Sequence, residues 1–291
     1  MRRREFLTTF AGAGVAAVAL QDQPVIRRKG RIKQGLMRTN FGANTPLSLD
    51  DMCKVAVRVG CKGMDMIAPE DWPTLKKHGL IATMGPAGGV TIQDGLIRRE
   101  LHDQIEKSMR AFLDQCAANG VPNMITLGGR RRGMSYAEGA DICVAFFNRI
   151  KGYAEEKKVT ICLEVMNSKY DTNETLGRPD QICDHLAWGI DVCKRVNSPR
   201  VRVLFDIYHV QIMDGNIIQN IKENFQWIGH FHTGGVPGRN EIDDTQEINY
   251  RMVGKTIADL GFSGYVCHEF RPGAGRDPIK SIEQAVEIMD A

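Results

Sequence analysis

The chain has 291 residues, of which 43% are hydrophobic and 25% are charged, which is the composition of an ordinary globular protein. Arg2, Arg3, Arg4 and Glu5 contribute a net +2 to the formal charge of +3, so the rest of the chain carries about +1. This near neutrality excludes the basic surface by which nucleic-acid-binding proteins neutralise phosphates. We expect one domain, because strand and helix patterns alternate to the C-terminus without a low-complexity linker.

Residues 1–19 have the features of a removable leader. An arginine cluster is followed by a short run of small and apolar residues, and Ala17-Val18-Ala19 matches a cleavage site. Arg3-Arg4-Glu5-Phe6-Leu7 resembles a twin-arginine export signal. We therefore expect the twin-arginine translocase to export the protein to the periplasm or the exterior, with residues 20–30 as a linker and residues 31–291 as the domain. An uncleaved leader would tether the chain to the membrane, although its apolar run is short for a span.

From residue 31 onward, strand patterns alternate with helix patterns. The predicted strands cover 32–37, 63–67, 80–84 and 123–127, and four more end at Glu164, Asp206, His232 and Glu269. The predicted helices cover 49–59 after an N-cap at Ser48, a short stretch ending at 77, 93–119, 136–157, 179–196, 213–224, a stretch beginning near 249, and 279–289. Eight strand–helix units in about 260 residues predict an α/β fold, a single (β/α)₈ TIM barrel.

The eight cysteines lie singly within these strand and helix patterns. Their spacing matches neither a disulfide framework nor a zinc finger. We therefore expect reduced cysteines in the core, which is compatible with folding before export.

The last four predicted strands all end in an acid or a histidine, namely Glu164, Asp206, His232 and Glu269. Because parallel barrel strands end on one face, we expect these side chains to surround one point. Three carboxylates and one imidazole suit a divalent ion such as Mn²⁺, Mg²⁺ or Co²⁺, with Zn²⁺ as an alternative. Each acid alone could instead pair with a nearby arginine, but four successive strand ends of this kind favour one metal site.

Three arginines, Arg130 to Arg132, follow the fourth predicted strand. In a barrel this loop lies on the face where the strands end, so one of them could meet an anionic substrate group. A solvated run of charges is the alternative interpretation.

The C-terminal half of the chain, from Val159 to Pro272, resembles the hydroxypyruvate isomerase branch of the xylose isomerase-like TIM-barrel superfamily. That superfamily also contains ketose 3-epimerases and inosose dehydratases. The segments that carry the resemblance are Leu163-Glu164-Val165-Met166-Asn167, Phe205-Asp206-Ile207-Tyr208-His209, Ile228-Gly229-His230-Phe231-His232, Val236-Pro237-Gly238-Arg239, Gln246-Glu247-Ile248-Asn249-Tyr250 and His268-Glu269-Phe270-Arg271-Pro272.

The resemblance implies one divalent metal ion held by Glu164, Asp206, His232 and Glu269. It also implies that Glu164 and Glu269 act as acid and base on opposite faces of the substrate. Four further residues would belong to the substrate-binding part of the site, and Arg239 among them would hold the substrate or orient a catalytic glutamate. These four are Asn167, His209, Arg239 and Glu247.

The N-terminal half departs from the family pattern at two strand ends. Met84-Gly85-Pro86 stands where the family often has a histidine, and Asp65-Met66 stands where a Glu-Phe pair is common. These departures leave the expected metal site intact, but they leave the substrate open.

The expected function is that of a metal-dependent isomerase or epimerase acting on a small sugar, keto-sugar or hydroxy-keto acid. Moving a proton between adjacent carbons through an enediolate needs a base at one carbon and an acid at the other. The alternatives are a keto-sugar dehydratase or lyase on the same site and a non-catalytic exported sugar-binding barrel. A DNA-repair barrel of the three-zinc endonuclease IV type would need more than the 7 histidines of this chain. The sequence leaves the oligomeric state open, with a homo-oligomer as one alternative.

Overall fold

The computed structural model describes residues 24–169 and 179–291. The predicted leader, residues 1–19, lies outside these ranges. Within them, no helix combines the length and the apolar character that crossing a membrane requires.

Eight parallel strands form one sheet in the order β3-β2-β1-β8-β7-β6-β5-β4. Their bounds are β1 Lys33–Leu36, β2 Gly63–Asp65, β3 Ile81–Met84, β4 Asn123–Thr126, β5 Thr160–Glu164, β6 Val201–Asp206, β7 Ile228–Thr233 and β8 Tyr265–His268. A parallel bridge between Gly85 and Met124 joins the two outer strands of this order, β3 and β4. The sheet is therefore a ring, and the predicted (β/α)₈ barrel is confirmed.

Helices between the strands pack around the outside of this ring. In the described residues the α-helices are α1 Leu49–Arg58, α2 Trp72–Lys77, α3 His102–Asn119, α4 Tyr136–Lys157, α5 Leu186–Val196, α6 Ile207–Met213, α7 Ile217–Asn224, α8 Tyr250–Asp259 and α9 Pro278–Ile288. Because each crossover returns the chain to the start of the next parallel strand, all eight strands end on the same face of the barrel.

Local capping explains the helices whose starts the sequence predicts correctly. The Ser48 hydroxyl accepts a hydrogen bond from the Asp51 backbone N–H at 3.2 Å, and the Ser135 hydroxyl accepts one from the Glu138 N–H at 3.2 Å. Each bond satisfies a backbone donor that the first turn of a helix leaves free. As a result, α1 and α4 begin where the sequence places them.

Two helices begin later than predicted because backbone pairing with distant segments holds the preceding residues in another conformation. The backbone N–H groups of Leu96 and Ile97 donate to the carbonyls of Leu127 and Gly128 at 3.0 and 3.2 Å, so the predicted helix 93–119 begins only at His102. Gln181 forms an antiparallel bridge with Arg130, and the predicted helix 179–196 begins at Leu186.

The sequence analysis missed α6, which follows β6 without a loop. The Asp206 carboxylate caps this helix, since it accepts from the backbone N–H groups of Tyr208 and His209 at 2.9 and 3.4 Å. The helix predicted from residue 213 instead begins at Ile217, after Gly215 has turned the chain with a φ of +63°.

The described part of the predicted linker, residues 24–30, lies against the barrel. The Ile26 N–H donates to the Arg58 carbonyl at 2.7 Å, and the Lys29 N–H donates to the Asp290 carboxylate at 2.9 Å. The first described residues therefore contact both α1 and the C-terminal end of the chain.

All eight cysteines are unpaired and buried, as the sequence predicts. Among them, Cys162 packs in an apolar cluster with Met84, Ile125 and Leu204. Burial raises the pKa of Cys162 above 9, so this thiol stays protonated and serves packing.

Candidate metal and catalytic site

Four side chains converge at the C-terminal face of the barrel. Glu164 and Asp206 end β5 and β6, His232 lies one residue before the end of β7, and Glu269 directly follows β8. Each offers one ligand atom, and these four atoms all lie within 4.8 Å of one another. The structure thus brings together all four residues of the predicted metal site.

His232 lies at the centre of this cluster and is buried. Its Nδ1 atom is 2.6 Å from Glu269 Oε2 and 4.0 Å from Glu164 Oε1, while its Nε2 atom is 2.9 Å from Asp65 Oδ2. Although Nδ1 and Glu269 Oε2 are close, they are not aligned for a hydrogen bond, and neither has another hydrogen-bond partner. His232 Nδ1 and Glu269 Oε2 are therefore two buried polar atoms of the cluster that lack a hydrogen bond.

Arg239 provides the positive charge next to the cluster. Its Nη2 atom donates to Asp206 Oδ2 at 2.5 Å and forms an ion pair with Glu269 Oε2 at 2.6 Å, and the side chain is buried. The turn of Gly235 to Asn240 places it there with a backbone φ of +58°, in the left-handed region that non-glycine residues adopt at a cost. Its guanidinium also stacks over the Tyr208 ring at 4.8 Å.

The electrostatic environment shifts the pKa values of the two glutamates in opposite directions. Burial, followed by repulsion from Glu269 and Asp206, raises the pKa of Glu164 to about 8. For Glu269, burial acts to raise the pKa, but Arg239 and His232 outweigh it and hold the pKa well below its ordinary value. One glutamate of the ion-free site is therefore protonated at neutral pH and the other is ionised.

The same contacts shift the pKa of His232. Burial acts to lower it, but the Glu269 and Asp65 carboxylates outweigh burial and raise the pKa well above its ordinary range. The imidazole thus acts as a cation between carboxylates when no metal ion compensates them.

His209 and Asn167 form a second layer beside Arg239. Arg239 Nη1 donates to His209 Nε2 at 2.7 Å, and the Asn167 amide lies 2.8 Å from His209 Nδ1. Burial lowers the pKa of His209 to about 4, so the ring is neutral. Because a guanidinium only donates, Nε2 accepts the hydrogen bond from Arg239.

Glu247 and the arginine run lie apart from the cluster. Glu247 is exposed and accepts a hydrogen bond from Gln211 at 3.0 Å. Arg131 pairs with Asp180 at 2.9 Å, and Arg132 pairs with Asp94 at 2.9 Å. In the described residues, these contacts of Glu247, Arg131 and Arg132 do not involve the four-residue cluster.

The sequence analysis did not place Asp65 in the site, although Asp65 contacts His232. Asp65 ends β2, on the far side of the ring from β7, and is buried. The signal that could have found it is the one that found the other acids, an acid at the end of an apolar strand. It was treated only as a departure from the family pattern.

The four-residue cluster fits a divalent cation. Its three carboxylates together with Arg239 leave two negative charges when His232 is neutral, which a divalent ion would balance. Two buried atoms of the cluster, His232 Nδ1 and Glu269 Oε2, have no hydrogen-bond partner and are available as ligands. Oxygen donors with one imidazole are typical of Mg²⁺, Mn²⁺, Co²⁺ or catalytic zinc sites, so the donor set leaves the identity of the metal open.

Relatives with matching sequence are isomerases by name. The chain is 34% identical over 122 residues to the 2-oxo-tetronate isomerase of Cupriavidus necator, a match that covers 42% of this chain and 44% of that protein. It is 26% identical over 243 residues to the putative hydroxypyruvate isomerase of Mus musculus, covering 77% of this chain and 84% of that protein. The chain thus spans less than half the length of the first relative and most of the length of the second.

Solved structures share the fold. A family 2 AP endonuclease from Brucella melitensis superposes with a TM-score of 0.74 at 20% identity, covering 86% of this chain and 96% of that one. The 3-keto-D-glucoside 4-epimerase of E. coli gives 0.71 at 17% identity, covering 89% and 98%. The IOLI protein with a bound zinc atom gives 0.65 at 17% identity, covering 89% and 95%. At these identities the likeness concerns the fold alone.

The xylose isomerase-like TIM barrel model matches residues 72–291. This range includes the strands that carry Glu164, Asp206, His232 and Glu269 as well as most of the barrel. The chain therefore belongs to the xylose isomerase-like TIM barrel family.

Proposed function

We propose that the protein is a metal-dependent isomerase or epimerase of a small hydroxy-keto acid or keto-sugar. The observation that carries the proposal is the convergence of Glu164 and Glu269 with Asp206 and His232 on one buried point at the ends of adjacent strands. The curated relatives named as 2-oxo-tetronate and hydroxypyruvate isomerases support this class of substrate.

Two glutamates on one substrate suit a proton transfer between adjacent carbons. A carboxylate removes the proton next to a carbonyl, and a carboxylic acid returns a proton to the neighbouring atom. Glu269, which Arg239 holds ionised, is suited to be the base, and Glu164, the second glutamate of the cluster, would deliver the proton that is returned to the substrate. A divalent ion, when bound, would stabilise the negative charge that develops on the substrate oxygens.

Arg239 orients the base in this proposal. Its Nη2 atom contacts both Glu269 and Asp206, so one guanidinium fixes the positions of a proposed base and a proposed ligand. Both ring nitrogens of His209 are engaged, by Arg239 and by Asn167, so His209 would bind a substrate hydroxyl only by exchanging one of these contacts for it. Glu247 would reach substrate only through movement of its loop, because its side chain lies on the surface.

The test is turnover of Glu164→Gln and Glu269→Gln. Each change keeps the volume and one oxygen ligand but removes the proton-transfer group, so turnover should fall by about a hundredfold or more while Mn²⁺ still binds. The full chain would be incubated with hydroxypyruvate, 2-oxo-tetronate and a ketose panel in D₂O, and NMR would follow both product formation and deuterium incorporation. If both variants keep near-normal turnover with bound metal, the two-glutamate proposal is wrong.

Mass analysis of the product separates the remaining alternatives. An isomerase or epimerase leaves the substrate mass unchanged apart from exchanged deuterium, whereas a dehydratase loses water. Binding of a panel sugar with neither product nor deuterium exchange would indicate a binding protein and would contradict the proposed activity.

A further inference from the structure

A buried aspartate reaches the proposed metal site from the opposite side of the barrel. Asp65 lies on β2, His232 lies on β7, and β1 and β8 separate these strands in the ring. Asp65 Oδ2 is 2.9 Å from His232 Nε2, and both side chains are almost completely buried. The contact therefore crosses the interior of the barrel just below the cluster.

This contact decides which nitrogen of His232 faces the cluster. An ionised carboxylate only accepts hydrogen bonds, so Nε2 carries the proton and donates it to Asp65. Asp65 Oδ1 accepts from the Thr83 hydroxyl, and Oδ2 faces the Nε2 atoms of both His230 and His232, so both oxygens of the carboxylate are placed as acceptors. Nδ1, which lies 2.6 Å from Glu269 Oε2, is thus the atom left to bind a cation.

Other strands hold the Asp65 carboxylate in position. The Thr83 hydroxyl on β3 donates to Asp65 Oδ1, and His230 Nε2 on β7 donates to Oδ2 at 2.8 Å. Asn123 on β4 faces the other ring nitrogen of His230 at 3.4 Å. Every hydrogen bond to the carboxylate comes from a buried side chain on the ring itself, so the carboxylate has little freedom to turn away from His232.

The same aspartate also lies near His230 and Cys267, with ligand atoms within 4.8 Å of one another, but this group does not suit a second metal ion. Both Asp65 oxygens already accept hydrogen bonds, from Thr83 and from the two histidines. The Cys267 sulfur is itself engaged, since it lies 3.4 Å from the Thr83 hydroxyl. The group is a support for His232 and not a competing site.

We propose that Asp65 is a positioning residue for the metal site, which it serves by fixing the tautomer and ring orientation of His232 so that Nδ1 faces the cation. This inference rests on the proposed function, because it assumes that His232 binds a divalent ion. A carboxylate that accepts the second N–H of a ligating histidine raises the basicity of the ring and holds its orientation, and losing such a partner lowers metal affinity by about 10–100-fold.

The experiment is a Mn²⁺ titration of the metal-stripped full chain by calorimetry, on wild type and two Asp65 variants. Asp65→Leu keeps the number and branching of the side-chain heavy atoms but cannot accept a hydrogen bond, and it should lower the affinity for Mn²⁺ by about 10–100-fold. Asp65→Asn keeps an acceptor without the charge and should recover part of that loss. The electron paramagnetic resonance spectrum of bound Mn²⁺ should change in the same order, because the ligand geometry changes.

His102→Phe is the matched control. It removes a buried imidazole whose Nε2 atom contacts the Leu96 carbonyl at 2.8 Å, outside the cluster and its support, so stability should fall while Mn²⁺ affinity stays close to wild type. A merely structural role for Asp65 would instead lower the stability of all three variants and leave Mn²⁺ affinity alike in all of them.

Different outcomes would contradict the metal site and the role of Asp65. If wild-type protein does not bind Mn²⁺, the metal site itself is wrong. If wild type binds Mn²⁺ and either folded Asp65 variant binds it with wild-type affinity, only the role of Asp65 is overturned. Should Asp65→Leu fail to fold, Asp65→Asn alone decides the outcome by the same criterion.

Discussion

Arg239 is the residue on which the charge balance of the ion-free site depends. It is buried and contacts the carboxylates of Asp206 and Glu269. Removing one partner of a buried ion pair typically costs about 3–5 kcal/mol, because the remaining charge stays buried without compensation. We therefore expect Arg239→Met to destabilise the metal-free protein by this order.

Mn²⁺ should restore more stability to Arg239→Met than it adds to wild type, since the ion compensates the carboxylates that lost the arginine. Urea unfolding with and without Mn²⁺ measures the free energy of unfolding of wild type and of Arg239→Met. Arg195→Met is the control, because Arg195 pairs with Asp141 on the exposed surface and its loss should have little effect. Equal stabilisation of wild type and Arg239→Met by the ion would contradict this account.

We expect metal binding to release protons from Glu164 and His232. The pKa of Glu164 is raised to about 8 and that of His232 is raised well above its usual range, so both groups are protonated at pH 7 in the ion-free site. Protonated groups do not bind cations, so Mn²⁺ affinity should rise as pH increases to about 8. Calorimetry at pH 7 in buffers of different ionisation enthalpy counts the released protons.

Glu164→Gln provides the control for this measurement. Glutamine has no proton to lose, so the variant should release about one proton fewer than wild type on binding Mn²⁺. An unchanged proton count in this variant, or an affinity that does not depend on pH between 6 and 8, would show that Glu164 is ionised before the metal binds.

Among the helices and strands, the sequence predicts a helix start correctly where a local capping residue alone determines it. The hydroxyls of Ser48 and Ser135 cap α1 and α4, and both helices begin where the sequence places them. The sequence failed where distant backbone pairs with the segment. Leu96 and Ile97 have helical periodicity, yet they pair with the chain beyond β4. No local pattern contains that information.

The same distinction applies to the site. The acids at the ends of β5, β6 and β8 could be found because each strand signals its own end and the barrel then brings these ends together. Asp65 ends an apolar strand and carries the same signal, but its role depends on a contact across the ring with His232 that no local pattern contains. Glu247 was placed in the site by resemblance, but its loop holds it at the surface beside Gln211.

Gly63 links the packing of β2 to the support of the site. A Cβ atom at this position would lie 2.3 Å from the Ile81 carbonyl oxygen and 2.6 Å from a methyl of Thr83. Gly63→Ala should therefore push β2 away from β3 and cost about 1–3 kcal/mol. Because Asp65 and Thr83 lie on these two strands, Mn²⁺ affinity should fall as well, and both effects are measured by urea unfolding and calorimetry.

Gly152→Ala is the matched control. Gly152 is exposed within α4, and a Cβ atom there meets nothing within 4 Å. Alanine should stabilise this helix by roughly 0.5–1 kcal/mol and leave Mn²⁺ affinity unchanged. If Gly63→Ala behaved like Gly152→Ala, the tight approach of β2 to β3 would have no energetic consequence.

For the molecule as a whole, we propose export of the folded protein by the twin-arginine route. The sequence at Arg3 and Arg4 motivates the proposal, and the eight reduced, buried cysteines are compatible with folding before translocation. Replacing both arginines by lysine should retain the chain in the cytoplasm as a folded barrel that binds Mn²⁺. Cell fractionation with immunodetection measures this, and unchanged export would contradict the proposal.

The closure of the barrel has a consequence for its slow motions. Where the other neighbouring strands pair along their lengths, β3 and β4 are joined at Gly85, whose N–H donates to the Asn123 carbonyl at 2.9 Å and whose carbonyl accepts from the Ile125 N–H at 3.1 Å. Opening the ring at this seam breaks few bonds and leaves β5 to β8 paired. We expect the amides of Gly85 and Ile125 to exchange with deuterium before those of β6 and β7. The barrel would then open locally between β3 and β4 while the ligand-bearing strands stay paired.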